Sequence, residues 1–298
     1  MAERLFLRLD GDPLYAPETS VPAGTLREFA IDAPLAAHVA HIASYREDIP
    51  AGQERIERVL PDGAVHLIFH LGDEPPMAEA GRAGLAGVAG ASASPTVLRF
   101  RGQVAGLSVS LRPGAIAALL GMPAGDITNT VVALDDLWGP AATPLIARLQ
   151  DARTDEARVA IVQATLRQRL QAGRKPAASP AAHAAQLIAT SGGQRALRDV
   201  AAAVGVGERR LQQLFHAEVG LSPRSWGRLA RLHGCLRALR QQASPRWAEL
   251  ALDAGFYDQA HLVNEFQSLC GLSPRLFLAR AQAAAPAREV SGFSNTGG

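Results

Sequence analysis

Two cysteines, Cys235 and Cys270, are too few in 298 residues for a disulfide framework or a Cys-rich structural zinc site. That scarcity fits a reducing cytosol. No stretch reaches the roughly 18 consecutive apolar residues that a membrane helix needs. The N-terminus, Met1-Ala2-Glu3-Arg4-Leu5, runs into alternating apolar and charged residues without the apolar core of a secretory signal. The expectation is a soluble, cytoplasmic protein with no membrane partner. A Gly-x-Ser-x-Gly nucleophile elbow is missing, and the Gly-rich run from Gly81 to Gly90 lacks the Lys-Ser/Thr of a phosphate loop, so it reads as a turn. Lysine is missing from residues 180–285, where all the positive side chains are arginine.

The hydrophobic fraction of 48% is that of an ordinary globular chain, and the length suits two domains, each with its own core. Charge divides unevenly between them. Residues 1–179 hold 17 Lys+Arg against 20 Asp+Glu, a net of −3, whereas residues 180–285 hold 12 Arg against 7 acids, a net of +5. A basic C-terminal third beside an acidic remainder suits a polyanion-binding module attached to something else.

The Gly- and Pro-bearing stretch at 172–180 reads as a linker between a domain at 1–171 and a second at 181–285, with a flexible tail at 286–298. Ahead of it, Thr154 is placed to cap a helix whose Val159, Val162, Leu166 and Leu170 form one stripe. Such a stripe serves a core or, in the sharper reading, a dimer seam. Further upstream, Leu5, Leu7 and Leu9, Val65, Leu67 and Phe69, and the runs 97–101 and 104–111 alternate in the manner of short strands separated by Gly and Pro. They predict a mainly-β barrel or sandwich with flanking helices, and everything after Pro180 predicts an all-α domain.

That helical part repeats itself. Val219-Gly220-Leu221-Ser222-Pro223-Arg224 returns as Cys270-Gly271-Leu272-Ser273-Pro274-Arg275 at an offset of 51, and Leu211 and Phe215 return as Leu262 and Phe266. Each copy has the outline of a helix, a Gly turn, a second helix and a stop. With the Leu/Phe face of each second helix buried, Arg209, Gln212, Gln213 and His216 are left on the free face of the first copy. Gln259, His261, Asn264 and Gln267 are left on that of the second, where Asp258 is a natural N-cap. Arg reads guanine bidentately and Gln or Asn reads adenine, although such residues also merely solvate most exposed helix faces. Between the copies runs an 18-residue helical segment, Arg224–Gln241, about 27 Å long. Its Arg228, Arg231, Arg237 and Arg240 are charges able to face phosphate.

Two helix-turn-helix units joined by a long helix, with Gly255-Phe256-Tyr257-Asp258-Gln259-Ala260-His261-Leu262 and the paired Gly-Leu-Ser-Pro stops, resemble the AraC/XylS-type transcription regulators over about Leu197–Ala281. The resemblance implies sequence-specific binding of double-stranded promoter DNA through one helix of each unit. The residues it places at bases are Arg209, Gln212 and Gln213, then Gln259, Ala260, His261 and Asn264. The chain departs from the family's usual pattern at Gly207, where Ser is common, and at Gln213 and Asn264, where Arg is common. Leu60–His70, Arg112-Pro113-Gly114-Ala115 and Asp135-Asp136-Leu137-Trp138-Gly139 resemble the cupin-like sensing domains attached to such regulators. This second resemblance implies a small-molecule effector or other partner and a second copy of the chain as partner; it names no effector residue and no cofactor. RNA polymerase is a further expected partner. A competing reading is a metal-dependent cupin-type enzyme whose helical domain no longer binds DNA. It would rest on His66 and His70, which share one face of a strand but lack further ligands at metal spacing.

Overall fold

The computed structural model describes residues 3–16, 18–73, 75–78, 81–82, 84–172, 179–240 and 245–284. The tail at 286–298 and most of the linker, 173–178, lie outside them; Ala172 and Pro180 themselves are helical. The strands in chain order are β1 (Arg4–Phe6), β2 (Leu26–Phe29), β3 (Val39–Asp48), β4 (Arg55–Val59), β5 (Val65–His70), β6 (Met77–Ala78), β7 (Gly81–Arg82), β8 (Ala86–Ala89), β9 (Thr96–Phe100), β10 (Gln103–Leu111) and β11 (Val131–Ala133). They form a five-stranded sheet ordered β1-β4-β9-β6-β7 and a six-stranded sheet ordered β11-β8-β5-β10-β3-β2. Glu47 at the end of β3 is ion-paired to Arg4 of β1 at 2.6 Å and to Arg55 of β4 at 3.7 Å, which ties the two sheets together.

The six-stranded sheet shows why the alternation was legible. Leu67, Val109 and Ile42 share one face, all with 0% exposure, and join the core that also holds Leu119, Leu166 and Trp138. The opposite face carries polar rows. His66 pairs with Ser110 and Ser110 with His41, so these three form one row, and His70, Gly106 and Tyr45 form another. Gly106 is required by the second row. A Cβ there would lie 2.4 Å from the Tyr45 hydroxyl, which crosses β10 to reach His70 Nδ1 at 2.8 Å. The Gly81–Gly90 stretch departs from its reading as a turn. Gly81–Arg82 pairs with β6, and Ala86–Ala89 is an interior strand between β5 and β11. Its small residues carry little strand propensity, but they fit between two neighbours that supply the pairing.

Four helices complete this half: α1 (Ile116–Leu120), α2 (Leu134–Trp138), α3 (Ala142–Asp151) and α4 (Asp155–Ala172). Thr154 caps α4 by accepting from the Ala157 N–H at 3.2 Å. The α4 stripe turns inward: Val159, Val162 and Leu166 are buried in the chain's own core, with Leu170 packed against it. The face that could have formed a dimer seam is therefore covered within the chain.

From residue 180 the described structure is helical: α5 (Pro180–Thr190), α6 (Leu197–Ala203), α7 (Glu208–Val219), α8 (Pro223–Leu239), α9 (Trp247–Asp253), α10 (Gln259–Cys270) and α11 (Pro274–Ala284). The first unit is α6–α7, the second is α9–α10, and α8 is the rod between them. At 17 residues the rod spans about 25 Å. Among the described residues no helix is long and apolar enough to cross a membrane.

Candidate nucleic-acid interface

In α7 the stripe Leu211, Phe215 and Val219 is buried against Ala181, Ala184, Ala185 and Ile188 of α5. Trp226 of α8 closes this cluster, meeting Phe215 edge to face at 6.2 Å and donating from Nε1 to the Ala185 carbonyl at 3.0 Å. With one side of α7 so occupied, Arg209, Gln212 and Gln213 stand exposed on the other. His216, the fourth residue of that face, is exposed but lies against Gly125 of a short 3-10 turn at Ala124–Ile127.

In α10 the buried stripe is Leu262, Phe266 and Leu269, with Phe266 meeting Phe277 of α11 edge to face at 5.3 Å. The Asp258 side chain caps the helix by accepting from the His261 N–H at 2.7 Å. Gln259, Ala260 and Asn264 are exposed. His261 is different. Its Nδ1 accepts from the Tyr257 N–H at 3.2 Å, its ring stands edge to face on Phe256, and Nε2 lies 3.9 Å from the Glu265 carboxylate. The hydrogen bond at Nδ1 places the proton of the neutral ring on Nε2.

The arginines of the rod do not form a free positive stripe. Arg228 donates from Nε to Glu265 at 2.6 Å and from Nη2 to Ser268 at 3.0 Å, bracing α10 against α8. Arg231 donates to the Gly193 carbonyl at 2.8 Å, in the turn after α5. Arg237 and Arg240 reach into the N-terminal half, where they meet Asp12 at 3.0 and 2.6 Å, and Arg240 also pairs with Glu18. Burial disfavours the Asp12 charge, but the hydrogen bonds from Arg240 and Arg237 outweigh it and hold that carboxyl below the ordinary range. The sequence showed these cations without showing what lies across from them.

Sequence reasoning also passed over two exposed arginines. Arg224 and Arg275 sit just inside the N-termini of α8 and α11, behind the N-caps Ser222 and Ser273. They are equivalent in the repeat at its own offset of 51, and that equivalence was the signal available.

Both units are mounted on the N-terminal half. Thr128 donates to the Gly220 carbonyl, the Gly114 N–H to the Glu218 carbonyl, and Ser179 to the Glu218 carboxylate, all beside the end of α7. Glu3 pairs with Arg280 of α11 and, at 2.9 Å, with Arg58 of β4.

Two equivalent helices with exposed polar faces, joined by one rod in paired helix-turn-helix units, are the architecture of a DNA-binding transcription regulator. Residues 200–280 match the family of helix-turn-helix domains, and residues 27–133 match a domain family of unknown function, DUF6597. The C-terminal part thus holds a helix-turn-helix domain, joined to a separately matched N-terminal domain. The chain is similar to an AraC-type transcriptional regulator from Chromobacterium violaceum, at 25% identity over 34% of this chain and 91% of that one, with a TM-score of 0.32. It is also similar to ToxT from Vibrio cholerae, at 11% identity over 80% of this chain and 97% of that one, with a TM-score of 0.42. A further ToxT structure, bound to (E)-4-(8-methylnaphthalen-1-yl)but-3-enoic acid, is similar at 10% identity over the same shares, also with a TM-score of 0.42. No curated protein matches the chain.

The histidines that motivated an enzyme reading are held by different partners. His66 Nε2 lies 3.1 Å from Asp62, whereas His70 Nδ1 lies 2.8 Å from the Tyr45 hydroxyl. Among the described residues no three His, Cys, Asp or Glu side chains are grouped to hold a metal.

Proposed function

We propose that the protein binds promoter DNA in the cytoplasm with α7 and α10 in successive major-groove segments, under the control of an effector held between the two sheets of a cupin-like N-terminal domain. The observation that carries the DNA reading is that the two equivalent helix faces, Arg209-Gln212-Gln213 and Gln259-Ala260-Asn264, are both exposed. Arg209 fits guanine, and Gln212, Gln213, Gln259 and Asn264 fit adenine. His261 offers Nε2–H at the same helix end. Arg224 and Arg275 supply phosphate contacts at helix N-termini, where backbone N–H groups add to the attraction. Arg228 and Arg231 act as braces that set the spacing of the reading helices.

The effector reading rests on the polar face of the six-stranded sheet. There His41 is 6% exposed and its Nδ1 has no hydrogen-bond partner among the described residues, an arrangement that a bound polar group would satisfy. In this reading residues 1–171 sense, 181–285 bind DNA and 172–180 connect them.

The test is selection of duplexes by the full-length chain from its own genome. The expected result is a two-part motif with halves about 10 base pairs apart and an affinity that falls steeply with salt. Recovery of bulk sequence with no enriched motif would overturn it.

A further inference from the structure

One turn of the N-terminal domain touches both the polar face between the sheets and the rod between the DNA-binding units. It is the β4–β5 connection, residues 60–64, in which Pro61 and Gly63 face the rod while Asp62, between them, faces the sheet. The Pro61 carbonyl accepts from His233 Nε2 of α8 at 3.0 Å, and His233 is 9% exposed. The Asp62 carboxylate turns the other way, to His66 Nε2 at 3.1 Å, and also accepts from the Ala64 N–H at 2.9 Å. Gly63, at φ +80°, rests directly on α8; a Cβ there would lie 2.7 Å from the Trp226 ring and 2.9 Å from Leu229. The turn therefore cannot shift without moving against the rod, and packed side chains transmit such shifts instead of absorbing them.

What lies on either side gives the contact a direction. His66 shares its row with His41, the rings 6.5 Å apart, and the buried Nδ1 of His41 has no partner among the described residues. Burial works against charge on both Asp62 and His66, but each holds the other ionised, with Asp62 pulled down to about 2 and His66 raised. An oxygen-bearing group arriving beside His41 therefore meets a charged pair whose acid belongs to the turn. On the far side Trp226 is no passive neighbour. It meets Phe215 of α7 edge to face and bonds to α5, so it joins the turn to the buried face of the first reading helix.

We propose that the Leu60–Ala64 turn relays occupancy of the His41–His66 end of the inter-sheet space to α8, and through Trp226 to α7. The relay rests on the effector reading above and gives that site its mode of regulation. The ligand chemistry it requires is a hydroxyl or carboxylate oxygen able to bond His41 and compete with Asp62 for His66. Such a ligand shifts the setting of the first unit only to the extent that it binds one setting better than the other.

The experiment uses the full chain and two readouts: hydrogen exchange by segment, and affinity for the duplex selected above. Asp62→Asn keeps the acceptor for Ala64 and removes the charge on His66. Its expected effect is faster exchange in α7 and around Leu229–Leu236 of α8, with DNA affinity altered about threefold or more. Glu54→Gln, which loses exposed ion pairs to Arg99 and Arg101 on the same domain, should change neither readout. If Asp62→Asn does not fold, His66→Gln carries the same expectation. Faster exchange confined to residues 60–66, with α7, α8 and DNA affinity as in the parent chain, would overturn the relay. Because exchange needs no DNA, it decides the relay even if the parent chain binds no duplex, an outcome that would count against the function proposed above.

Discussion

The two helix-turn-helix units carry the same buried pattern but are held in different ways. In the first, Leu211, Phe215 and Val219 pack with Val200 and Ala201 of α6 and with α5 in a cluster of their own. In the second, Leu250, Leu262, Phe266 and Cys270 belong to the same continuous core as the sheets of the N-terminal domain. The second helix of unit one starts at Gly207 with no side-chain cap; that of unit two starts at Asp258 with one. Arg228 braces α10, whereas the end of α7 is tied by Thr128 and Ser179 from outside the unit. A repeat thus supplies two heads, of which the second is built into the body of the protein and the first is docked onto it.

The sharpest way to break this comparison is to empty each core. Phe215 and Phe266 are both fully buried, and Phe→Ala at such sites costs about 3–5 kcal/mol. Phe266→Ala is expected to lower the main thermal transition of the whole chain. Phe215→Ala should instead loosen α5–α7 while the sheets keep their transition. Calorimetry together with segment-resolved hydrogen exchange separates the outcomes, and equal effects on the sheets would erase the distinction between built-in and docked units.

Acid sharpens the same contrast at somewhat lower energy. Burial pushes His41 and His70 down to about 4, so both stay neutral in the fold while unfolded imidazoles, near 6.5, take up protons. The stability they carry, about 3 kcal/mol apiece as a ceiling, is complete above pH 6.5 and drains as pH falls toward 4. Glu57 opposes them. Burial raises its carboxyl to about 7, so its share is lost as pH rises from about 4.5 to 7. Two imidazoles outweigh one carboxyl, and the melting temperature of the sheets should rise from pH 4.5 to 6.5. His70→Gln should flatten that slope. Unit one, whose buried cluster is wholly apolar, should keep its exchange protection across the same window after correction for the intrinsic rate.

Much of this arrangement was legible in the sequence, for local reasons. The buried stripes, the caps at Thr154 and Asp258, the exposed reading faces and the strand alternation at Val65–Phe69 all follow from periodicity within a few residues. What was not legible depended on partners far along the chain. Arg237 and Arg240 meet Asp12 and Glu18 across more than 200 residues, and no spacing rule connects them. The strand at Ala86–Ala89 was hidden because Gly and Ala lack a strand signature and the pairing comes from its neighbours. That α8 would lie across the turn at 60–64 was likewise a tertiary fact.

At the level of the reading faces, the comparison makes a prediction about bases. Arg209 and Asn264 are exposed on equivalent faces, and losing a bidentate base contact costs about 1–3 kcal/mol of discrimination. Arg209→Ala should relax one half of the selected motif and Asn264→Ala the other. A uniform fall in affinity with an unchanged motif would leave both residues at phosphates. His261→Ala should act differently from either, because its ring also supports the Tyr257 N–H and packs on Phe256. It should reduce the stability of unit two along with its half of the motif.

The smallest expected effect tests the caps. Asp258 satisfies a backbone donor at the start of α10, and replacing such a cap by Ala costs about 1 kcal/mol. Gly207 holds the same place before α7 with extended backbone angles, φ −73° and ψ 154°, that any residue adopts. A Cβ there would meet nothing within 4 Å, so a side chain fits without rearrangement. Gly207→Ser then adds an acceptor for the open N–H groups of α7 and should stabilise unit one by a few tenths of a kcal/mol. Serine is chosen over aspartate because a negative charge at that helix end would face DNA phosphate. The gain should appear as slower exchange in the first turns of α7, with the sheets and unit two unmoved. If the whole chain gains instead, unit one is coupled to the body as tightly as unit two, and the difference between the docked head and the built-in head disappears.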